Sequence, residues 1–259
     1  MKRQRFLLLP IIIVLLASGI IVYERTAFDI KSFSFEPENS IHDSCVHEKM
    51  EPVSGEVFSR MEMEKMLTDF GVSSYWVKDL SMEELTNYVR AQNIDKCTSF
   101  LKIMKNGNIE EVMPEEALNE NEVSTCMYLQ KNVFLFTLND KAGFDRHCIV
   151  VEMDWLTEIK WACKYELAVG VLRSSFDMDT VKCRVYKSDH GTVECLDLRD
   201  KVNPVGDAGY LGIRIVDDLQ IDSNKGTLLT AQYEFSIINY IGDLLHYTAQ
   251  FHCKRSVDI

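Results

Sequence analysis

The strongest pattern of apolar residues lies near the start of the sequence. Eighteen residues from Phe6 to Tyr23 carry no charge, and Lys2, Arg3 and Arg5 precede them. As a helix this run would be about 27 Å long, close to the hydrocarbon thickness of a bilayer. Because the basic residues come first, the N-terminus is expected to stay in the cytoplasm while the rest crosses. The pattern predicts a signal-anchor over residues 1–23, with the membrane as a partner.

A cleaved signal peptide is the alternative interpretation of the same run. Ala17-Ser18-Gly19 has the small-x-small spacing of a cleavage site, and cutting there would leave an apolar core of ordinary signal-peptide length. The new N-terminus would begin at Ile20, with apolar residues on both sides of the cut. We therefore favour the uncleaved anchor, and cleavage near Gly19 would make the protein a secreted ligand carrier.

Residues 24–54 have the composition of a stem. Apolar residues are sparse there, Ser and Glu are frequent, and Pro37 and Pro52 interrupt the segment. Cys45 lies within it. The domain proper is therefore expected to span residues 55–259, in the lumen or outside the cell.

The first part of that domain, residues 55–122, is predicted to be helical. Apolar side chains recur at i, i+3, i+4 and i+7 between Met63 and Phe70, and Gly71 follows as a stop signal. A capping box begins at Ser81. A further set with helical spacing consists of Ile94, Cys97, Leu101 and Met104.

From Cys126 to Cys253 the period changes to two. Apolar and polar residues alternate over Lys160–Gly170, Val181–Val185 and Leu229–Ile237, with turn residues between such segments. This alternation predicts antiparallel strands with one buried and one solvated face. Helices followed by strands give an α+β domain, either a sandwich or a strongly curved sheet. The curved form is similar to cone-shaped folds of the nuclear-transport-factor type, whose sheet encloses an apolar pocket.

The cysteines form the most informative constellation after the leader. In a secreted or lumenal domain, an even number of inward-facing cysteines predicts a disulfide framework, here of up to four bridges. Cys183 and Cys195 flank one predicted hairpin and are a candidate pair if its loop has an odd length. The candidates are Cys45, Cys97, Cys126, Cys148, Cys163, Cys183, Cys195 and Cys253.

Metal binding by these cysteines is not predicted. There is no C-x-x-C motif, and the two His-Cys dipeptides, His147-Cys148 and His252-Cys253, lie in predicted strands. Neighbouring side chains in a strand point to opposite faces, so such a dipeptide cannot direct both groups to one ion.

Charge narrows the range of partners. The first 26 residues hold four of the 28 basic residues and one of the 40 acidic residues, which leaves 24 against 39, a net charge of −15, for the remainder. Such a domain should repel nucleic acid. Besides the membrane, the expected partner is a protein or a small apolar ligand.

One acidic pair could carry chemistry. Asp177 and Asp179 form an Asp-x-Asp pattern that could hold a divalent cation against a nucleotide-sugar diphosphate. With the anchor and the stem, the pair resembles in outline the plan of Golgi glycosyltransferases, which implies a metal-dependent transferase. The chain departs from that plan because antiparallel hairpins without crossover helices surround the pair.

Other catalytic or cofactor motifs are missing. We find no nucleophile elbow, H-E-x-x-H, P-loop or G-x-G-x-x-G pattern. We therefore expect a membrane-anchored binding or interaction module without a cofactor or metal, with the transferase and the secreted carrier as alternatives.

Overall fold

The computed structural model describes the chain from residue 46 onward, with gaps. The predicted leader (1–23) and most of the predicted stem (24–54) lie outside the described residues. Among the helices that are described, none is long and apolar enough to span a membrane. The described residues are 46–50, 57–119, 125–138, 146–172, 174–176, 178–189, 192–207, 210–219, 227–237 and 247–255.

Strands dominate the described part of the chain. The helices are α1 (Arg60–Asp69), α2 (Ser74–Lys78), α3 (Met82–Val89) and α4 (Pro114–Ala117). The strands are β1 (Val46–Met50), β2 (Asn93–Met104), β3 (Ile109–Val112), β4 (Cys126–Leu138), β5 (Arg146–Trp155), β6 (Cys163–Leu172), β7 (Ser174–Phe176), β8 (Lys182–Asp189), β9 (Thr192–Asp197), β10 (Val202–Asp207), β11 (Tyr210–Leu219), β12 (Leu228–Ile237) and β13 (Tyr247–Arg255).

These strands form two antiparallel sheets. The larger sheet has nine strands in the order β1-β2-β4-β5-β12-β8-β9, with β3 beside β2 and β7 beside β12. The smaller sheet has four strands in the order β10-β11-β6-β13. Side chains of both sheets meet in one buried core, as in a β-sandwich. The predicted antiparallel sheet is confirmed, and of its two predicted forms the arrangement is consistent with the sandwich.

Aromatic rings fill the space between the two sheets. Trp155 of β5 lies 6.3 Å from Tyr165 of β6 and 6.0 Å from Phe251 of β13, measured between ring centroids. Tyr165 and Phe251 stack on each other at 6.2 Å. The alternation in the sequence correctly assigns Tyr165 and Leu167 to the buried side of β6.

The predicted helix from Ile94 to Met104 is a strand instead. Residues 93–104 form β2, which pairs with β4 along its whole length, and a turn at Gly107 (φ +90°) leads back into β3. The helical spacing misleads because both faces of β2 carry buried apolar residues, which hides the period of two. Ile94 packs under the helices, whereas Leu101 belongs to the core between the sheets. The predicted stem also ends earlier than expected, since Val46–Met50 pairs with β2.

The three helices before β2 cover the outer face of the large sheet. Helix α1 begins with a capping box at Ser59 and ends before Gly71 (φ +94°), in agreement with the predicted stop signal. The capping box predicted at Ser81 opens α3. Buried hydrogen bonds join this layer to β12, because Trp76 Nε1 donates to Gln232 Oε1 (2.9 Å) and Gln232 Nε2 donates to Tyr88 Oη (2.6 Å).

A buried carboxyl group lies at the same junction. Glu152 of β5 is 2% exposed and accepts hydrogen bonds from the backbone N–H of Ser73, at 3.0 and 3.3 Å. Burial raises the pKa of Glu152 to about 8, with a smaller contribution from Asp154 in the same direction, while the Ser73 hydrogen bond and Lys96 oppose it. Glu152 is therefore a carboxyl group that the fold prefers to keep protonated.

We expect the Glu152→Gln substitution to remove a pH dependence of stability. A carboxyl pKa raised in the folded state stabilises the protein below the unfolded-state pKa, and this stabilisation is lost as the pH rises towards 8. Within that window the wild-type free energy of unfolding should fall by about 1.4 kcal/mol per pH unit on account of this group. Glutamine keeps an acceptor for Ser73 and has no proton to lose.

Urea unfolding between pH 5 and 9 measures the effect, with the exposed Glu110→Gln as the control. Glu152→Gln should become more stable than the wild type as the pH rises, and Glu110→Gln should follow the wild type. Parallel profiles for the wild type and Glu152→Gln would contradict the account.

Two strands of the small sheet approach each other where a glycine is required. Gly212 of β11 pairs directly with Gly170 of β6. A Cβ atom at residue 212 would lie 1.9 Å from the carbonyl oxygen of Val169 and 2.7 Å from the Cα of Gly170. Both atoms belong to the backbone, so this contact cannot be relieved by a side-chain rotation.

We predict that Gly212→Ala destabilises the sandwich by about 1–3 kcal/mol, as overpacking does. Gly206→Ala is the matched control, because its Cβ would meet the Cδ2 of Leu211, a half-exposed side chain that can rotate. Its free energy of unfolding should stay within about 0.5 kcal/mol of the wild type. Equal unfolding midpoints in urea for the two variants would show that the close strand approach is not as described.

Candidate ligand-binding groove

A groove of about 250 Å³ lies on the small sheet, on the side away from the core. Glu166 of β6 pairs with Val216 of β11 and with His252 of β13, so these three side chains form one row across the sheet. Arg214 and Lys164 are two residues away along their strands and share the same face. The residues that line the groove are Lys164, Tyr165, Glu166, Arg214, Val216 and His252.

An ion pair forms the centre of the groove. Arg214 donates from Nε to Glu166 Oε1 at 2.6 Å and from Nη2 to Glu166 Oε2 at 3.1 Å. Both side chains are 22% exposed, and the two parallel hydrogen bonds fix the plane of the guanidinium group. The two charged side chains are therefore held in a fixed geometry within the groove and are partly shielded from water.

The remaining polar side chains of the groove are basic. Lys164 and His252 are exposed at its rim, while Val216 is half-buried. Among the described residues that line the groove, two permanent cations and one imidazole accompany one carboxylate, that of Glu166. In a chain with a net charge of −12, this is a local departure from the prevailing charge. The arrangement is suited to holding an anionic group beside an apolar contact.

The opposite end of the same face is apolar. Tyr210 packs against Ala168, Leu172 and Val205 in a small cluster of its own. Gly212 lies between Tyr210 and Arg214 along β11, and its partner Gly170 lies between Ala168 and Leu172 along β6, so neither position adds a side chain to this face. The face thus changes from apolar to basic along the strands.

The acidic pair predicted from the sequence is only partly described. Asp177 lies outside the described residues. Asp179 lies in a 3₁₀ turn over Met178–Thr180 with a side chain that is 92% exposed, and its carboxylate is 3.5 Å from Arg199 Nη2. Within the described residues, no group of three or more His, Cys, Asp or Glu side chains is arranged to hold a metal ion. The transferase interpretation of this pair stays a prediction.

The predicted cysteine pair of the β8–β9 hairpin does not form. Asp189 pairs with Thr192, which leaves an even, two-residue loop, and Cys195 is therefore directly opposite Tyr186 and not on the face of Cys183. Cys183 is buried in the core between the sheets, whereas Cys195 is exposed near Asp79. The pairing required an odd loop, and the chain has an even one.

The other cysteines are distributed over several parts of the fold. Cys97 is disulfide-bonded, and Cys45 lies outside the described residues. Burial raises the pKa of Cys148, which contacts Tyr88 under the helices. The predicted framework of up to four bridges is not formed, because six cysteines of the described part are in no disulfide: Cys126, Cys148, Cys163, Cys183, Cys195 and Cys253.

No sequence motif identifies the groove, because its residues come from three strands. Lys164 and Glu166 occupy polar positions of the alternating pattern in β6. That pattern predicts only that they lie on the solvated face of the strand. Arg214 comes from β11 and His252 from β13, so only the strand order brings them to Glu166. The one signal in the sequence that could indicate the groove is the charge of the residues at the predicted solvated positions.

Comparisons with known proteins do not assign this chain to a family. No protein-family model and no curated protein matches it. Among solved structures it is similar to the collagen adhesin CNA from S. aureus, with 8% sequence identity, a TM-score of 0.23, and coverage of 64% of this chain and 91% of that chain. We draw no conclusion about ligand or activity from a likeness of this size.

Proposed function

We propose that this protein is a membrane-anchored binding module whose ligand is held through an anionic group in the groove of the small sheet. One observation carries the proposal, which is the convergence of Lys164, Arg214 and His252 on one concave surface of an otherwise acidic protein. Charge complementarity of this kind selects partners and orients them.

The ligand class follows from the groups that line the groove. Arg and Lys side chains bind carboxylates and phosphates as charge-assisted hydrogen-bond donors. Arg214 already donates hydrogen bonds to Glu166, which occupies part of its capacity to bind an anion. A ligand with dispersed negative charge therefore fits better than a small, highly charged ion. We therefore propose a ligand with carboxylate groups, such as an acidic peptide, with its apolar part over Val216.

Membrane attachment is supported by the sequence of the leader. The uncharged run Phe6–Tyr23 and the basic residues before it favour an anchor with the sandwich on the far side of the membrane. The transferase alternative has less support, because Asp179 is exposed and paired with Arg199.

Binding of a hexaglutamate peptide tests the groove. We expect Lys164→Ala to weaken binding by about tenfold, equivalent to about 1.4 kcal/mol, and His252→Ala to weaken it as well. Lys105→Ala is the matched control, since Lys105 is an exposed lysine in the turn between β2 and β3. Isothermal titration at low and high salt gives the affinities, and binding should weaken with salt.

Two results would contradict the proposal. One is the absence of binding by hexaglutamate, succinate and citrate at millimolar concentration. The other is equal weakening by Lys164→Ala and Lys105→Ala, which would mean that only the overall charge matters. Stronger binding of inorganic phosphate than of any carboxylate would overturn the ligand class.

Membrane attachment has a separate test. We expect the full chain to remain in the membrane fraction after alkaline carbonate extraction, and a chain without residues 1–26 to be soluble. The reason is that 18 uncharged residues form a span that carbonate does not release. Full-length protein in the soluble fraction, or a chain that begins near Ile20, would contradict the anchor.

A further inference from the structure

Two cysteines that form no disulfide in the structure lie side by side on the core face of the small sheet. Strand β13 pairs with β6 so that Cys253 is opposite Tyr165 and Cys163 is opposite Arg255. Cys163 and Cys253 are thus diagonal neighbours on adjacent strands, one inward-facing position apart. Both are buried in the core between the sheets.

The two thiols interact. The hydrogen-bonding interaction between them lowers the pKa of Cys253, although burial acts in the opposite direction. The buried Cys183 has no such neighbour, and burial raises its pKa. Cys253 therefore forms a thiolate, the nucleophile of thiol–disulfide exchange, more readily than Cys183 does.

The remaining free cysteines of the described part lie in other places. Cys148 contacts Tyr88 beneath the helices, and Cys126 packs with Phe100 and Tyr128 at the start of β4. Cys183 and Cys195 are on opposite faces of their hairpin. The β6–β13 pair is the one in which register, burial and sulfur contact agree.

We propose that Cys163 and Cys253 form a disulfide that joins β6 to β13. The oxidant is a small-molecule disulfide. The Cys253 thiolate attacks one of its sulfur atoms, which forms a mixed disulfide and releases one thiolate. The Cys163 thiolate then attacks the Cys253 sulfur and releases the second thiolate. The protein loses two electrons and two protons, and the oxidant becomes two thiols.

The position of β13 makes this reaction feasible. Among the described strands it is the last one of the small sheet, with β6 as its neighbour. Edge strands open locally more easily than central strands, which gives the oxidant access and lets the two Cβ atoms move closer together. Once formed, the bridge would hold the edge strand in place beneath His252 and Lys164, on the reverse side of the groove.

Mass spectrometry of the full chain tests the pairing. The reduced protein is equilibrated with oxidised and reduced glutathione, quenched with acid, alkylated under denaturing conditions and digested without reduction. We expect a peptide that links Cys163 to Cys253, and fewer alkylated thiols than in the reduced protein. Cys183→Ser is the matched control, because it removes a buried thiol and should keep the linked peptide.

The single variants give the opposite pattern. Cys163→Ser should leave Cys253 alkylated or bound to glutathione, and Cys253→Ser should do the same for Cys163. Circular dichroism establishes that each variant is folded, and if one is not, the wild-type peptide map alone decides. Full alkylation of both cysteines after equilibration, or linkage of either one to a different cysteine, would overturn the proposal.

Discussion

The central strands of the large sheet must be covered on both faces, and the arrangement of the rest of the chain follows from this requirement. Neighbouring residues in β5, such as Val150 and Val151, are both fully buried. Val150 packs under the helices and Val151 packs against the small sheet. Neither layer alone could exclude water from both faces. Helices α1 to α3 and the four-stranded sheet are therefore both needed to cover the large sheet. The outer face of the small sheet carries the groove.

Burial on both faces also determines how polar side chains are accommodated. Trp76, Gln232 and Tyr88 satisfy one another through buried hydrogen bonds between the helices and β12. Glu152 finds a backbone donor at Ser73, but this contact only partly offsets the cost of burying its charge. The outer face of the small sheet is different. There, Arg214 and Glu166 pair while partly hydrated, so charge can be concentrated on this face at a smaller desolvation cost.

Local patterns predicted the elements whose environment is simple. The alternation in β6 and β8 and the capping box at Ser81 predict their elements correctly, because each depends on near neighbours in the chain. In β12 the alternation identifies the strand, but the polar face that it predicts to be solvated is buried, with Thr230 and Gln232 each 2% exposed. The prediction failed for Ile94–Met104, since a strand buried on both faces has no polar face to show its period. It also failed for Cys183 and Cys195, where the length of the loop decided the face. The groove could not be predicted, because strand order and not sequence proximity brings Lys164, Arg214 and His252 together.

The account depends most on the claim that β4, β5 and β12 are buried on both faces while β13 is an edge. Hydrogen–deuterium exchange of the reduced full chain, followed by mass spectrometry, measures this directly. We expect the amides of β4, β5 and β12 to exchange most slowly, and those of β13 and β10 to exchange measurably faster. Exchange in β5 as fast as in β13 would mean that one of the two covering layers is not in place, and would contradict the account.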